Sequence, residues 1–206
     1  EFNSDKFVGD RTAAVRVSAQ VQGKDVIADY LSYNVFQGRR LNQEDVVTAQ
    51  LNTLQVASAG HVGLVKNSKL KITPLIITST QSQHINAEFV RGEIDPQKIL
   101  NQYKSDNRSF TIAARFSGPV KSAYPGGPPP PEKKRDNSVD EKNDQKPLPP
   151  HLNVSKSDLN MIVFADTDLL TSRFWVRQQE FFGQNIQVPV SNNADFLVNS
   201  LDNLSG

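Results

Sequence analysis

The chain has 206 residues, 23 basic and 22 acidic for a net charge of +1, and no cysteine. That length suits one domain with a substantial buried core, and the near balance of charge removes any general electrostatic pull toward nucleic acid. The missing thiols exclude disulfides, thiolate metal sites and cysteine nucleophiles together. No apolar run approaches the ~20 residues of a membrane-spanning helix, and Glu1 is followed by no basic and apolar segments of signal-peptide kind. The expectation is an excised soluble piece, with any signal or anchor in sequence outside it.

Lys6 to Gly9 is a short strand candidate, and Ala13 to Val21 alternates Ala13, Val15, Val17, Ala19 and Val21 against Arg16, Ser18 and Gln20, the pattern of a half-buried strand. The turn Gln22-Gly23-Lys24-Asp25 leads into Val26 to Val35, so the two segments form a hairpin. Asn42 caps a short turn in LNQEDVVTAQL, before the apolar stretch Leu51 to Ala57. Leu70 to Thr80 is β-branched and strand-like, and Pro74, which lacks a ladder donor, points to an edge or a bulge. In IDPQKILNQYK, Asp95 as N-cap and Pro96 at the first helical position open a helix. Ser109 to Gly118 then reads as a strand with Phe110, Ile112, Ala114 and Phe116 on one face.

Composition then shifts. Nine of the twelve prolines lie between Pro119 and Pro150, among balanced charges and almost no large apolar side chains. Such a segment, about 119–155, cannot repay its ordering entropy and reads as a disordered insertion, or else as a proline-rich docking loop. Order resumes at Leu159, where LNMIVFAD has the continuous apolar character of a strand buried on both faces. Helices follow at about Leu169 to Phe182 and Asn193 to Leu204. Ala194, Leu197, Val198, Leu201 and Leu204 form the second one's apolar stripe, and Ser191 to Asn193 supply its capping groups. Strands mixed with helices along one chain place it in the α/β class.

The chemistry-bearing candidates are few. Asp166 and Asp168 end the apolar run where ligands collect in open α/β sheets; two hard oxygen donors suit Mg²⁺ or Ca²⁺, but no third carboxylate or calcium-loop glycine adjoins them. The plainer reading has Asp168 or Thr167 capping the next helix and Asp166 holding the turn. His61, His84 and His151 lack the spacing that puts two imidazoles on one helix face, which argues against zinc. Ser79, Ser82 and His84 lack the strand-turn-helix context that activates a nucleophile. Gly60 and Gly63 match no phosphate-cradle pattern and read as a turn. Arg173, Phe174, Trp175 and Arg177 are the densest cationic and aromatic cluster, suited either to a partner surface or to a packed core helix.

Three stretches, in order, resemble a known family: VGDRTAAVRVSA with YLSYNVFQGRRLNQEDVVTAQLNTLQVASAGHV, then LKITPLIITSTQSQ, then IVFADTDLLTSRFWV with NNADFLVNSLDNLSG. Together they resemble the extracytoplasmic domain of GldG-type auxiliary components of ABC transporters, the uncharacterized ABC-type transport system family that includes gliding-motility proteins. The resemblance covers nearly all of the chain outside the proline-rich segment. It implies a flavodoxin-like, class I glutamine-amidotransferase-like layered sheet without that fold's catalytic apparatus, of which this chain would be an incomplete part. It also implies ABC permease and ATPase subunits as partners, an extracytoplasmic, periplasmic location at the bacterial inner membrane, and membrane helices outside this sequence.

The functional expectation is a non-enzymatic binding module with no catalytic residue, metal or cofactor. Its candidate ligand or partner surface is Asp166, Asp168, Arg173, Arg177, Asn192, Asn193 and Asp195, with the aspartate turn facing the Asn192 to Asp195 helix start. The alternatives are a metal-dependent hydrolase using Asp166 and Asp168 near His61 or His84, and a scaffold docking partners through its proline-rich loop.

Overall fold

The computed structural model describes residues 5–21, 23–92, 95–128 and 150–206. Among them, in chain order, are β1 (Lys6–Asp10), β2 (Ala14–Val21), β3 (Lys24–Gln37), β4 (Thr53–Ala57), β5 (Lys71–Ile77), β6 (Ser82–Asn86), α1 (Pro96–Asn101), β7 (Thr111–Gly118), β8 (Leu159–Phe164), β9 (Val176–Phe181), β10 (Gln184–Pro189) and α2 (Asn193–Ser205). Two three-stranded sheets, β2-β3-β4 and β5-β7-β8, and two two-stranded sheets, β1-β6 and β9-β10, carry the fold.

Every pairing among the described strands is antiparallel. The expected flavodoxin-like, amidotransferase-like α/β architecture is therefore wrong. That fold needs parallel strands joined by crossover helices, whereas α1 has six residues and α2, with thirteen, ends the described chain. The domain is a β-rich assembly of small antiparallel sheets.

Local signals held where one physical cause dominated. β2 and β3 form the expected hairpin, closing at Val21↔Lys24, with Gly23 at φ +75°. Asp95 caps α1 by accepting the Gln97 and Lys98 N–H groups, with Pro96 at the helix start. β5 is an edge strand whose register shifts between Pro74 and Ile76, the bulge its proline called for. Asn42 closes its turn by accepting the Glu44 N–H at 2.9 Å.

Three element readings are overturned. β8 is an edge strand with Asn160 and Met161 exposed, because it pairs only with β7; its apolar run is only partly buried, Ile162 and Phe164 against the main core and Val163 against the cluster on the other face. The helix expected at Leu169 to Phe182 is a 3-10 turn, Ser172–Phe174, followed by the β9–β10 hairpin. The hairpin turns at Phe182 and Gly183, both at positive φ, and leaves Phe182 91% exposed. α2 is helical as expected but faces the other way: Asn193, Phe196 and Ser200 are buried, while Leu197, Val198, Leu201 and Leu204 are exposed. Its inner side is set by the bonds Asn193 makes and by Phe196, which packs edge-on to Phe164 at 5.1 Å.

The ends of the proline-rich segment are ordered against each other, through a bridge between Lys121 and Val154 and the bonds Ser122 N–H to Asn153 C=O and Ser155 N–H to Val120 C=O. The rest of the expected disordered insertion, residues 129–149, lies outside the described residues.

The main core gathers Phe36, Leu54, Val56, Leu75, Ile76 and Ile112 from the two larger sheets, closed by Leu41, Val47 and Leu51 of the loop before β4 and by Phe196 of α2. A second cluster, Phe7, Leu31, Ile85 and Ile99, seats β1, β6 and α1 on β3. Both faces of β7 are buried, Ile112 and Ala113 in the main core and Ala114 and Phe116 in a third cluster with Val62. Arg115 of the same strand grips Asp45 through two bonds of 2.9 Å and reaches Asn160 and Asn203 at 3.0 and 2.7 Å, tying β8 and the end of α2 to the loop.

Gly9 lets β1 cross β3 closely. A Cβ there would stand 2.7 Å from Ile85 Cδ1 and 3.0 Å from the Leu31 carbonyl oxygen, a backbone atom that cannot swing aside. Gly9→Ala is expected to destabilise by about 1–3 kcal/mol through overpacking, measured as a lowered urea midpoint with an unchanged slope.

Candidate functional site

β4 is an edge strand whose outward N–H groups meet side-chain oxygens rather than another strand. Asn192 Oδ1 accepts from Asn52 and Thr53 N–H at 3.0 and 3.1 Å; Asn193 Oδ1 accepts from Gln55 N–H at 3.0 Å; Asp166 Oδ2 accepts from Ala57 N–H at 2.9 Å. Asn193, 0% exposed, also donates to the Gln55 and Leu169 carbonyls, each at 2.8 Å, and receives the Ser191 hydroxyl at 2.7 Å. Asn192 donates to Asp195 at 2.7 Å. The aspartate turn and the helix start thus stand along one strand edge, and three of the candidate residues spend their oxygens there.

Asp166 does hold its turn: Oδ1 accepts the Asp168 N–H at 2.8 Å. Burial, only partly offset by the two N–H bonds, pushes its carboxyl up from the usual 3.8 to about 6. Asp168 caps no helix; its carbonyl receives the Thr171 N–H at 2.8 Å, and the chain turns instead. Two adjoining clefts open above this edge. One, of about 490 Å³, is lined by Lys6, Gly60, His61, Asp166 and Asp168 among others. The other, of about 460 Å³, is lined by Tyr30, Ser32, Tyr33, Asp168, Arg173, Phe174 and Arg177. Ala57, Ser58, Val90 and Asp168 belong to both.

In the second cleft Tyr33 packs against Phe174, ring centroids 5.3 Å apart, and its hydroxyl donates toward the Phe174 carbonyl at 3.1 Å and the Gln55 Oε1. Burial raises the Tyr33 hydroxyl above its ordinary value, while the charge of Arg177 acts in the opposite sense. Arg173 stacks its guanidinium 4.6 Å from the Phe174 ring centre. Trp175 follows with a buried indole N–H that finds no acceptor among the described residues.

The histidines, dispersed in sequence, meet in space. His84 Nε2 lies 3.1 Å from His61 Nδ1, with the Phe110 ring edge-on to both. Burial, then the charges of His61 and Arg108, hold His84 below the usual histidine range. His151 lies elsewhere, 2.7 Å from the Tyr124 carbonyl. No group of three or more His, Asp or Glu side chains among the described residues is arranged to hold a metal ion.

Of the hydroxyls in ITSTQSQH, that of Ser79 serves Asp10, which is fully buried, while those of Thr78 and Ser82 donate to the Ser79 carbonyl. Asp10 accepts from the Ser79 hydroxyl at 2.6 Å, the Thr12 hydroxyl at 2.8 Å and Arg40 at 3.0 Å. Sequence reasoning missed this hub, though a carboxylate inside VGDRT, two residues before a threonine, has the form of an Asx turn. It also missed Tyr33, since nothing in a strand sequence announces which tyrosine will face a cleft.

A family model described as an ABC-type uncharacterized transport system matches residues 1–200. The chain belongs to that family. It is thus an auxiliary component of an ABC-type transport system. No curated protein and no solved structure matches it.

Two outcomes follow for this auxiliary component. Asn193→Leu keeps the volume but leaves the Gln55 N–H and two carbonyls unpartnered in a dry place, so a loss of at least about 3 kcal/mol is expected in denaturant unfolding. For Asp166, the folded state binds its proton more tightly than the unfolded state, so this group's contribution is fully present below about pH 4 and is lost as pH rises through about 6. The stability difference between wild type and Asp166→Asn should therefore shift toward wild type when urea midpoints are taken at pH 4.5 rather than 7.5; a difference independent of pH would contradict it.

Proposed function

We propose that the domain is a non-enzymatic, extracytoplasmic binding module of its transport system, which engages a partner subunit or ligand through the clefts above β4. The observation that carries this reading is the division of labour among the polar residues. Asp166, Asn192 and Asn193 complete the strand edge, whereas Arg173 and Arg177 line a cleft and form no ion pair with the described carboxylates. Paired groups build the fold; unpaired cations at a concave surface are available to something else.

Family membership supports association with an ABC-type system. The permease and ATPase as direct partners, the periplasmic face of the inner membrane, and membrane helices elsewhere in the parent chain are part of the same proposal. A hydrolytic role is favoured by one observation, the raised Asp166 carboxyl sharing its cleft with His61. Against it, each Asp166 oxygen already accepts a backbone N–H, which suits a turn better than a base.

Affinity purification of the membrane-anchored parent tests the proposal. The ABC ATPase and permease should co-purify, and more weakly from an Arg173→Gln/Arg177→Gln parent if the cleft engages a subunit; recovery of neither from wild type would overturn the reading.

A further inference from the structure

We propose that the cleft between β3 and the Ser172–Phe174 turn binds an acidic saccharide, a sugar ring bearing a carboxylate or a phosphate. This rests on the reading of the domain as a binding module and names the ligand class for one of its clefts.

The cleft exists because β3 changes partners. Its register with β2 jumps from Val15↔Tyr30 to Ala14↔Asn34, so residues 31–33 have no register partner on β2, and β3 pairs with β4 from Tyr33 onward. In a regular strand alternate residues point to opposite faces; the bulge re-aims them, and Tyr30, Ser32 and Tyr33 all line one cavity of about 460 Å³. That size suits a small ligand.

The opposite wall supplies charge. Arg173 is steadied on the Phe174 ring at 4.6 Å, and Arg177 lies close enough to Tyr33 for its charge to favour the phenolate. One carboxylate, Asp168, also lines the cleft, and it forms no ion pair of 4.0 Å or less with either arginine. Two guanidiniums against one carboxylate leave a net positive cleft. Guanidinium groups bind carboxylate and phosphate through charge-assisted, often bidentate hydrogen bonds.

The remaining lining chooses the body of the ligand. Tyrosine and phenylalanine rings offer faces for the C–H side of a sugar, and the Tyr30 and Ser32 hydroxyls offer partners for its hydroxyl groups, the Tyr33 O–H being committed to Gln55 and Phe174. An acidic peptide would most readily add to a free strand edge, but the edge beside the cleft, that of β4, is already occupied by Asn192, Asn193 and Asp166.

The test is titration calorimetry of the protein with glucuronate, glucose 6-phosphate, glucose, inorganic phosphate and a tetraglutamate peptide, on wild type and Arg173→Gln/Arg177→Gln. Thermal melting of the variant checks that it folds, as exposed arginines predict. At least one acidic sugar should bind, with glucose and inorganic phosphate each about tenfold weaker or worse, and the variant should lose about tenfold or more in affinity for it, the scale of one or two charge-assisted bonds. The proposal is overturned if neither acidic sugar binds, if glucose or inorganic phosphate binds as well, if only the peptide binds, or if the folded variant binds like wild type. Co-purification of the ATPase and permease without sugar binding would sink this proposal alone; failure of both experiments would sink the module reading with it.

Discussion

The unpaired edge of β4 is the constraint around which the domain is arranged. An edge strand presents a row of backbone donors that must find partners or invite another chain. Here Asn192, Asn193 and Asp166, from two segments more than a hundred residues downstream, occupy that row. Docking α2 and the end of β8 on one strand edge brings the Ser172–Phe174 turn over Tyr33, and the clefts follow. Remove the side-chain ladder and both the helix and the arginine-bearing wall lose their anchor.

Charge is distributed on the same principle. Asp10 with Arg40 and Asp45 with Arg115 are enclosed pairs with additional hydrogen bonds, the arrangement in which removing one partner is costly because the other is left buried. The Arg115 guanidinium and its bond to Asp45 keep the Asp45 carboxyl below the usual range, so its contribution is present above about pH 4 and fades only in stronger acid, opposite in sense to Asp166. The domain therefore carries two carboxylates whose acid responses pull in different directions over adjacent pH ranges.

How far the sequence could be read depended on whether a residue's role was local. Asp95-Pro96, the alternation before Gly23 and the bulge at Pro74 act through neighbours in the chain, and each appears in the structure as its chemistry dictates. Roles set by tertiary partners were illegible. The β9–β10 hairpin is exposed along almost its whole length, so VRQQEF and QNIQVP show no inside-outside contrast to separate strand from helix. In α2 the apolar stripe suggested the wrong face because the buried side is fixed by Asn193 hydrogen bonds as much as by Phe196. The fold class failed for a related reason: a continuous apolar strand such as β8 does not say whether its neighbour runs parallel or antiparallel. At the candidate site, Asp166 as a turn-holder was legible, while the meeting of Tyr33, Arg173 and Arg177 depends on a bulge and a long-range strand contact that leave no periodic trace.

The proline-rich excursion leaves β7 and returns to β8, and those two strands are direct antiparallel neighbours whose continuations are still bridged at Lys121 and Val154. The two ends of the excursion are thus pinned to each other. Changing the length of chain between such pinned ends costs only about 0.6 kcal/mol per doubling, and the core does not feel it. That makes this position a natural splice point, where a fluorescent reporter or an epitope could be carried by the domain without reporting on anything but its whereabouts.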